Sequence, residues 1–203
     1  MRIGILQCGH FPTPDAHPKT NYSALYTRLL DGFGFEFQTW SVVDMAFPSS
    51  PHDADGWLLS GSKYGAYDDV PFIASLEQLI RDIYAANIIA QALGGTVTKR
   101  VDGWNCKRNT YTFADTQKNL MAWHQDEVTA LPADVAAFGS SPQCAFAEIR
   151  YQGNAMSMQP HPEFDDDIAC LLMDSASAES LTVAQLDGVR AGLGTPHDNA
   201  TAA

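Results

Sequence analysis

The sequence predicts an α/β fold with a mostly parallel central sheet flanked by helices and a small antiparallel portion. Three observations carry that expectation. Strand-like and helix-like segments alternate from Met1 to Tyr84, the arrangement that builds parallel sheets. Beyond Gly94-Gly95 the chain turns to short β-like pieces, which add the antiparallel part. The 203 residues, 45% of them hydrophobic, suffice to bury one substantial core, so a single domain over 1–203 is expected.

Met1 to Gln7 is mostly aliphatic, as a strand buried on both faces should be, and Cys8-Gly9-His10 followed by prolines ends it. From Asn21, the residues Tyr22, Leu25, Tyr26, Leu29, Leu30 and Phe33 recur at helical spacing until Gly32 and Gly34 stop the pattern. Phe35, Phe37 and Thr39 alternate as a second strand. Trp57, Leu58 and Leu59 form a third, ending at Ser60-Gly61-Ser62. Asp68 and Asp69 ahead of Pro71 predict a helix start, and Leu76, Leu79, Ile80 and Ile83 continue its apolar stripe. Past Tyr84 the stripe loses phase, because Ala86 and Asn87 fall where bulky residues are due and Ile88-Ile89 come next. Strands are then expected at Thr96–Lys99, Thr110–Phe113, Met121–Trp123, Val135–Phe138, Cys144–Arg150 and Ala155–Met158, with surface helices at Asp165–Met173 and Ser180–Arg190. Asp198 and Asn199 have the capping character of a helix start, but the chain ends at Ala203 before one develops.

Charge and cysteine usage narrow the function classes. Twenty-four acidic against 12 basic residues give a formal charge of −12, which repels nucleic-acid backbones and anionic lipid, so neither partner is expected. No run approaches the ~20 apolar residues of a membrane span, and Met1 leads straight into a strand without a leader. Cys8, Cys106, Cys144 and Cys170 are scattered without a Cys-x-x-Cys pair, so no metal site, no cofactor and a reducing cytoplasm are expected.

The most specific chemical signal is Gln159-Pro160-His161-Pro162-Glu163-Phe164, directly after a strand-like segment. Two residues apart at a strand end, a carboxylate can orient an imidazole that acts as base and then as acid. A proline-rich turn with two exposed polar residues is the plain alternative.

Five ordered blocks, ILQCGH, DGWLLSGSKYGAYDD, IIAQALGG, WHQDEV and SMQPHPEF, resemble the class I glutamine amidotransferases and are similar to the glutaminase domain of GMP synthase and to stand-alone relatives. The resemblance spans roughly residues 1 to 175 and implies a flavodoxin-like fold with a Cys-His-Glu triad. It makes His161 the general base and acid and Glu163 its orienting partner. Gly61 and Ser62 match the family loop whose backbone N–H helps hold the oxyanion, and His124 and Asp126 match a segment lining the glutamine pocket. The implied substrate is glutamine or another γ-glutamyl compound, and the implied partner is an ammonia-accepting synthetase.

One block of the pattern is absent. The family places a buried strand and a Gly-x-Cys-x-Gly elbow before the segment matching IIAQALGG, whereas Ala86-Asn87-Ile88 joins the flanking helices directly, about a dozen residues short, at the phase break. One central strand should therefore be missing or replaced, and with it the nucleophile. A His-Glu pair has no thiolate to activate, and removing the nucleophile of a comparable hydrolase triad costs on the order of 10⁶ in turnover. Cys8, at the sheet edge where ligands bind in such folds, is the one stand-in to consider, although a free cysteine is usually a small buried hydrophobe. Three expectations follow: an inactive amidotransferase relative, a non-catalytic glutamine-binding protein, or an active γ-glutamyl hydrolase whose natural chain contains the missing segment.

Overall fold

A computed structural model describes residues 1–11, 21–84, 95–133, 135–151, 155–175 and 178–202. The chain divides into two compact units, Met1–Ala86 and Asn87–Ala203. The phase break beyond Tyr84 and nearly all of IIAQALGG lie outside the described residues.

The first unit is a parallel three-stranded sheet in the order β2-β1-β3, made of β1 (Arg2–Leu6), β2 (Glu36–Trp40) and β3 (Gly56–Leu59). β1 lies between its two neighbours, which explains its continuous aliphatic run: Ile5 and Leu6 are fully buried. Between β1 and β2 runs α1 (Tyr22–Leu29), whose first turn is closed by Asn21 Oδ1 accepting from Ala24 N at 2.6 Å. It ends a turn earlier than the stripe predicts, and Phe33 is left exposed, stacked on Phe35 at 5.9 Å. α2 (Pro71–Tyr84) begins on Pro71 as expected. No carboxylate stands in its first turn; Asp68 instead accepts from Gly65 N at 2.9 Å and closes the preceding loop.

In the second unit a five-stranded antiparallel sheet runs in the order β10-β9-β8-β5-β6, with β5 (Arg108–Phe113), β6 (Thr116–Met121), β8 (Ala136–Ser141), β9 (Cys144–Arg150) and β10 (Met156–Met158). β4 (Thr96–Lys99) and β7 (Asp126–Ala130) form a separate antiparallel pair. The mixed α/β class thus holds, but the antiparallel portion among the described residues is larger than the small one expected. Tyr111, Phe113, Leu120, Cys144 and Ala147 form the sheet's core cluster.

α3 (Asp166–Met173) and α4 (Val183–Gly192) both have side-chain caps: Asp165 accepts from Ile168 N, and Thr182 with Gln185 closes a reciprocal capping box. The chain end is tied down by side chains, with Asn199 Nδ2 donating to Phe164 O at 2.8 Å and Asn119 N donating to Asp198 Oδ2 at 2.7 Å. No described helix is long and apolar enough to cross a membrane.

Candidate active site

His161 and Glu163 are held by the turn that leaves β10. Gln159 N donates to Ala147 O, Pro160 ends the ladder, and His161 N then donates to Met121 O at 2.8 Å, an isolated bridge to the end of β6. Phe164 N closes the turn on His161 O. The two side chains are in contact: His161 Nδ1 lies 2.7 Å from Glu163 Oε1. Glu163 is buried, His161 is mostly buried, and the imidazole stacks on Phe164 at 4.3 Å and 6°. An ionised carboxylate only accepts hydrogen bonds, so it accepts one from Nδ1–H, which leaves Nε2 as the nitrogen for proton exchange.

His124 and Asp126 belong to the same unit, on the segment that runs from β6 into β7. His124 forms a backbone bridge with Asn105, through N–H···O contacts of 2.9 and 3.0 Å. Both of its ring nitrogens are engaged inside the protein, Nδ1 with Asp126 O at 3.0 Å and Nε2 with Asn105 Nδ2 at 3.2 Å. Asp126 contributes its backbone carbonyl, which also accepts from Gln159 Nε2 at 3.2 Å. Burial, reinforced by the charge of His161, pushes His124 down from 6.5 to about 4, so it is neutral at pH 7. Sequence reasoning missed Asn105, Asn109 and Gln159 as members of this constellation.

Gly61 and Ser62 lie in the first unit, in the loop that follows β3. Ser60 and Ser62 stitch that loop to the end of β1: Cys8 N donates to Ser60 Oγ and Ser62 Oγ donates to Cys8 O, each at 2.8 Å. The backbones approach so closely that a Cβ on Gly9 would sit 3.2 Å from Ser62 Cα. Among the described residues, neither the Gly61 nor the Ser62 amide donates a backbone–backbone hydrogen bond.

The thiols have the opposite character from an activated nucleophile. Cys8 is buried, its Sγ donates to Leu6 O at 3.4 Å, and desolvation pushes it up to about 12. Burial likewise raises Cys106 and Cys144 to about 11, and Cys144 donates to Gln159 Oε1 at 3.2 Å. Cys170 is exposed on α3, where desolvation and then the carboxylates of Asp166, Asp167 and Asp174 raise it. These four are all the cysteines of the chain. Among the described residues no cluster of three or more His, Cys, Asp or Glu side chains is placed to hold a metal ion.

No protein-family model matches the chain. Curated relatives include gamma-glutamyl peptidase 4 of Arabidopsis thaliana, 26% identical over 82% of this chain and 78% of the relative, and gamma-glutamyl peptidase 3 of the same plant, 23% identical over 77% and 75%. GMP synthase [glutamine-hydrolyzing] of Bacteroides fragilis is 27% identical over 58% of this chain and 26% of its own length. Among solved structures, a glutamine amidotransferase of Thermotoga maritima superposes with a TM-score of 0.70 at 16% identity, covering 91% of this chain and 89% of that one. Another, from Methylobacillus flagellatus, gives 0.69 at 18% identity over 85% and 74%. By these relatives and by its fold, the chain is related to the class I glutamine amidotransferases.

Proposed function

We propose that this chain is an amidotransferase-type domain, spanning 1–203, that keeps the proton relay of a γ-glutamyl amide hydrolase and has lost its nucleophile. The observation that carries this reading is the contrast between an oriented His161–Glu163 pair and four thiols that are all shifted away from the thiolate. Acyl transfer needs a thiolate within reach of the base. At pH 7 a thiol at about 12 is ionised to only on the order of 10⁻⁵.

The junction Ala86-Asn87-Ile88 explains the loss, because it stands where the family pattern has its strand and cysteine elbow. One further fact supports a deletion. The alignment with gamma-glutamyl peptidase 3 extends over 187 positions yet draws on only 77% of this chain, so part of the relative stands opposite no residue here.

His161 and Glu163 are the retained base and its orienter, Gly61 and Ser62 the oxyanion loop, and His124 with Asp126 the wall of the glutamine pocket. A second reading is that the domain still binds glutamine or a γ-glutamyl compound without cleaving it; the retained His161–Glu163 pair favours it. An ammonia-accepting synthetase is the partner class that the resemblance to GMP synthase suggests.

The test combines ammonia release from glutamine and γ-glutamyl dipeptides, covalent labelling by a glutamine-like electrophile, and calorimetry with glutamine. We expect no turnover and no label. Turnover with a label on any cysteine overturns the inactive reading, and absence of binding heat removes the second one. An intact mass of the natural product that exceeds the 22.1 kDa of this chain by a strand and an elbow would remove the deletion and favour an active γ-glutamyl hydrolase instead.

A further inference from the structure

A chain of amides runs through the buried interior beside the His161–Glu163 pair, and each of its links has a direction. Asp126 O is a carbonyl and can only accept, so His124 Nδ1, 3.0 Å away, must be the donor. A neutral ring then has a bare Nε2, which can only accept, and it faces Asn105 Nδ2 at 3.2 Å. Asn105 Oδ1 is left as the acceptor for Asn109 Nδ2 at 2.9 Å. Asn105 and Asn109 are both buried, so water does not substitute for either partner. Tyr111 Oη lies against the same two amides without completing a hydrogen bond of full geometry.

We propose that Asn105 is a positioning residue whose amide, oriented by Asn109, locks His124 in the tautomer protonated on Nδ1, so that a neutral imidazole stands beside the His161–Glu163 relay.

The opposite orientation fails on physical grounds. Reversing Asn105 alone would set its NH₂ against that of Asn109. Reversing both amides would set an oxygen against His124 Nε2 while Asp126 O still demands a proton from Nδ1, and the ring would have to be an imidazolium. That cation would be half-buried and would face His161 from the turn after β10 and Arg100, which follows β4. The Arg100 charge is partly answered by Glu127 of β7 at 2.6 Å, and Tyr111 of β5 lies behind the asparagines. Burial first, and then the charges of His161 and Arg100, oppose protonation of His124.

The loop that presents Asn105 is itself anchored. Arg100 Nε donates to Gly103 O, Gln185 Nε2 donates to Trp104 O at 3.1 Å, and Ala122 N donates to Lys107 O at 2.9 Å. The consequence for chemistry is that a proton accepted by His161 meets no second cation at position 124. That consequence rests on the reading of His161 as the relay base; the tautomer does not.

Histidine ¹⁵N labelling with two-bond nitrogen–proton correlation reads the tautomer directly. In the wild-type chain at pH 7 we expect His124 to be protonated on Nδ1 and bare on Nε2, and to remain neutral until the pH approaches 4. Asn105→Asp replaces the donor by an acceptor and should make His124 doubly protonated at pH 7. His161→Gln removes the facing imidazole whose charge opposes protonation of His124 and should raise the His124 titration midpoint.

A wild-type His124 that carries its proton on Nε2 overturns the lock, and this measurement needs no variant to fold. A folded Asn105→Asp protein with a neutral His124 overturns it as well. An unchanged midpoint in His161→Gln overturns the link to the relay. None of these readouts involves turnover, so a chain found to hydrolyse glutamine would sink the inactive reading and leave the lock standing.

Discussion

Lowering the pH from 7.5 to 4.5 should cost this protein stability through His124. The folded protein holds this histidine at about 4 while an unfolded chain holds it at 6.5. Above 6.5 both states are neutral and the site contributes no pH dependence. Between 6.5 and 4 the unfolded chain binds a proton that the folded one refuses, so stability falls as the pH drops through that window. A difference of 2.5 pH units is worth about 3 kcal/mol in full, most of it gone by pH 4.5. At a urea slope of about 2 kcal/mol/M, this lowers the unfolding midpoint by about 1 M. Carboxylates titrate in the same range, so the informative quantity is a difference. Urea melts of wild type and of His124→Gln at pH 7.5 and 4.5 isolate it, and the variant should lose about 2–3 kcal/mol less than the wild type on acidification. Equal losses in the two proteins would refute the buried neutral imidazole and, with it, the physical basis of the amide chain.

Cys8 should resist alkylation by iodoacetamide at pH 7 in the folded protein and react readily in urea, with peptide mass mapping as the readout, because burial holds its thiol at about 12. Gly4→Ala should destabilise by about 1–3 kcal/mol in a urea melt. The new Cβ would lie 2.4 Å from the Trp57 ring, which is held by its hydrogen bond to Pro51 O and its packing on Trp40. Thr182→Ala removes one half of the α4 capping box and should cost about 1 kcal/mol, visible as a lower thermal midpoint.

Elements whose side chains see only their own sheet or core were legible in the sequence. The aliphatic run of β1, the limits of β4 and β9, and the Pro71 start of α2 all follow from local composition. β6 and β7 were not legible: Thr116–Met121 was expected to show a strand only from Met121, and Asp126–Ala130 gave no strand signal. Their sequences, TQKNLM and DEVTA, are polar, and the ladders to β5 and β4 make them strands. The hairpin between β5 and β6 turns on Ala114 at φ 49° and Asp115, where a glycine or asparagine would have marked it.

The candidate site divides along the same physical line. His161 and Glu163 are two residues apart, so their contact is a property of one turn and could be read from one hexapeptide. Asn105 and His124 are 19 residues apart, and Asn109, on β5, joins them only through its side-chain bond to Asn105. Nothing local distinguishes such an asparagine from one in a solvated loop. The thiols carry the same lesson in the other direction. Cys8 sits at a strand end where a nucleophile would be well placed, but position does not make a nucleophile. Its thiol contacts the Leu6 carbonyl in a desolvated pocket, where burial outweighs the hydrogen bonds from Ser60 and disfavours the thiolate. Reactivity is set by the surroundings that folding supplies, so a cysteine's position can be read from the sequence, whereas the burial that raises Cys8, Cys106 and Cys144 shows only in the structure.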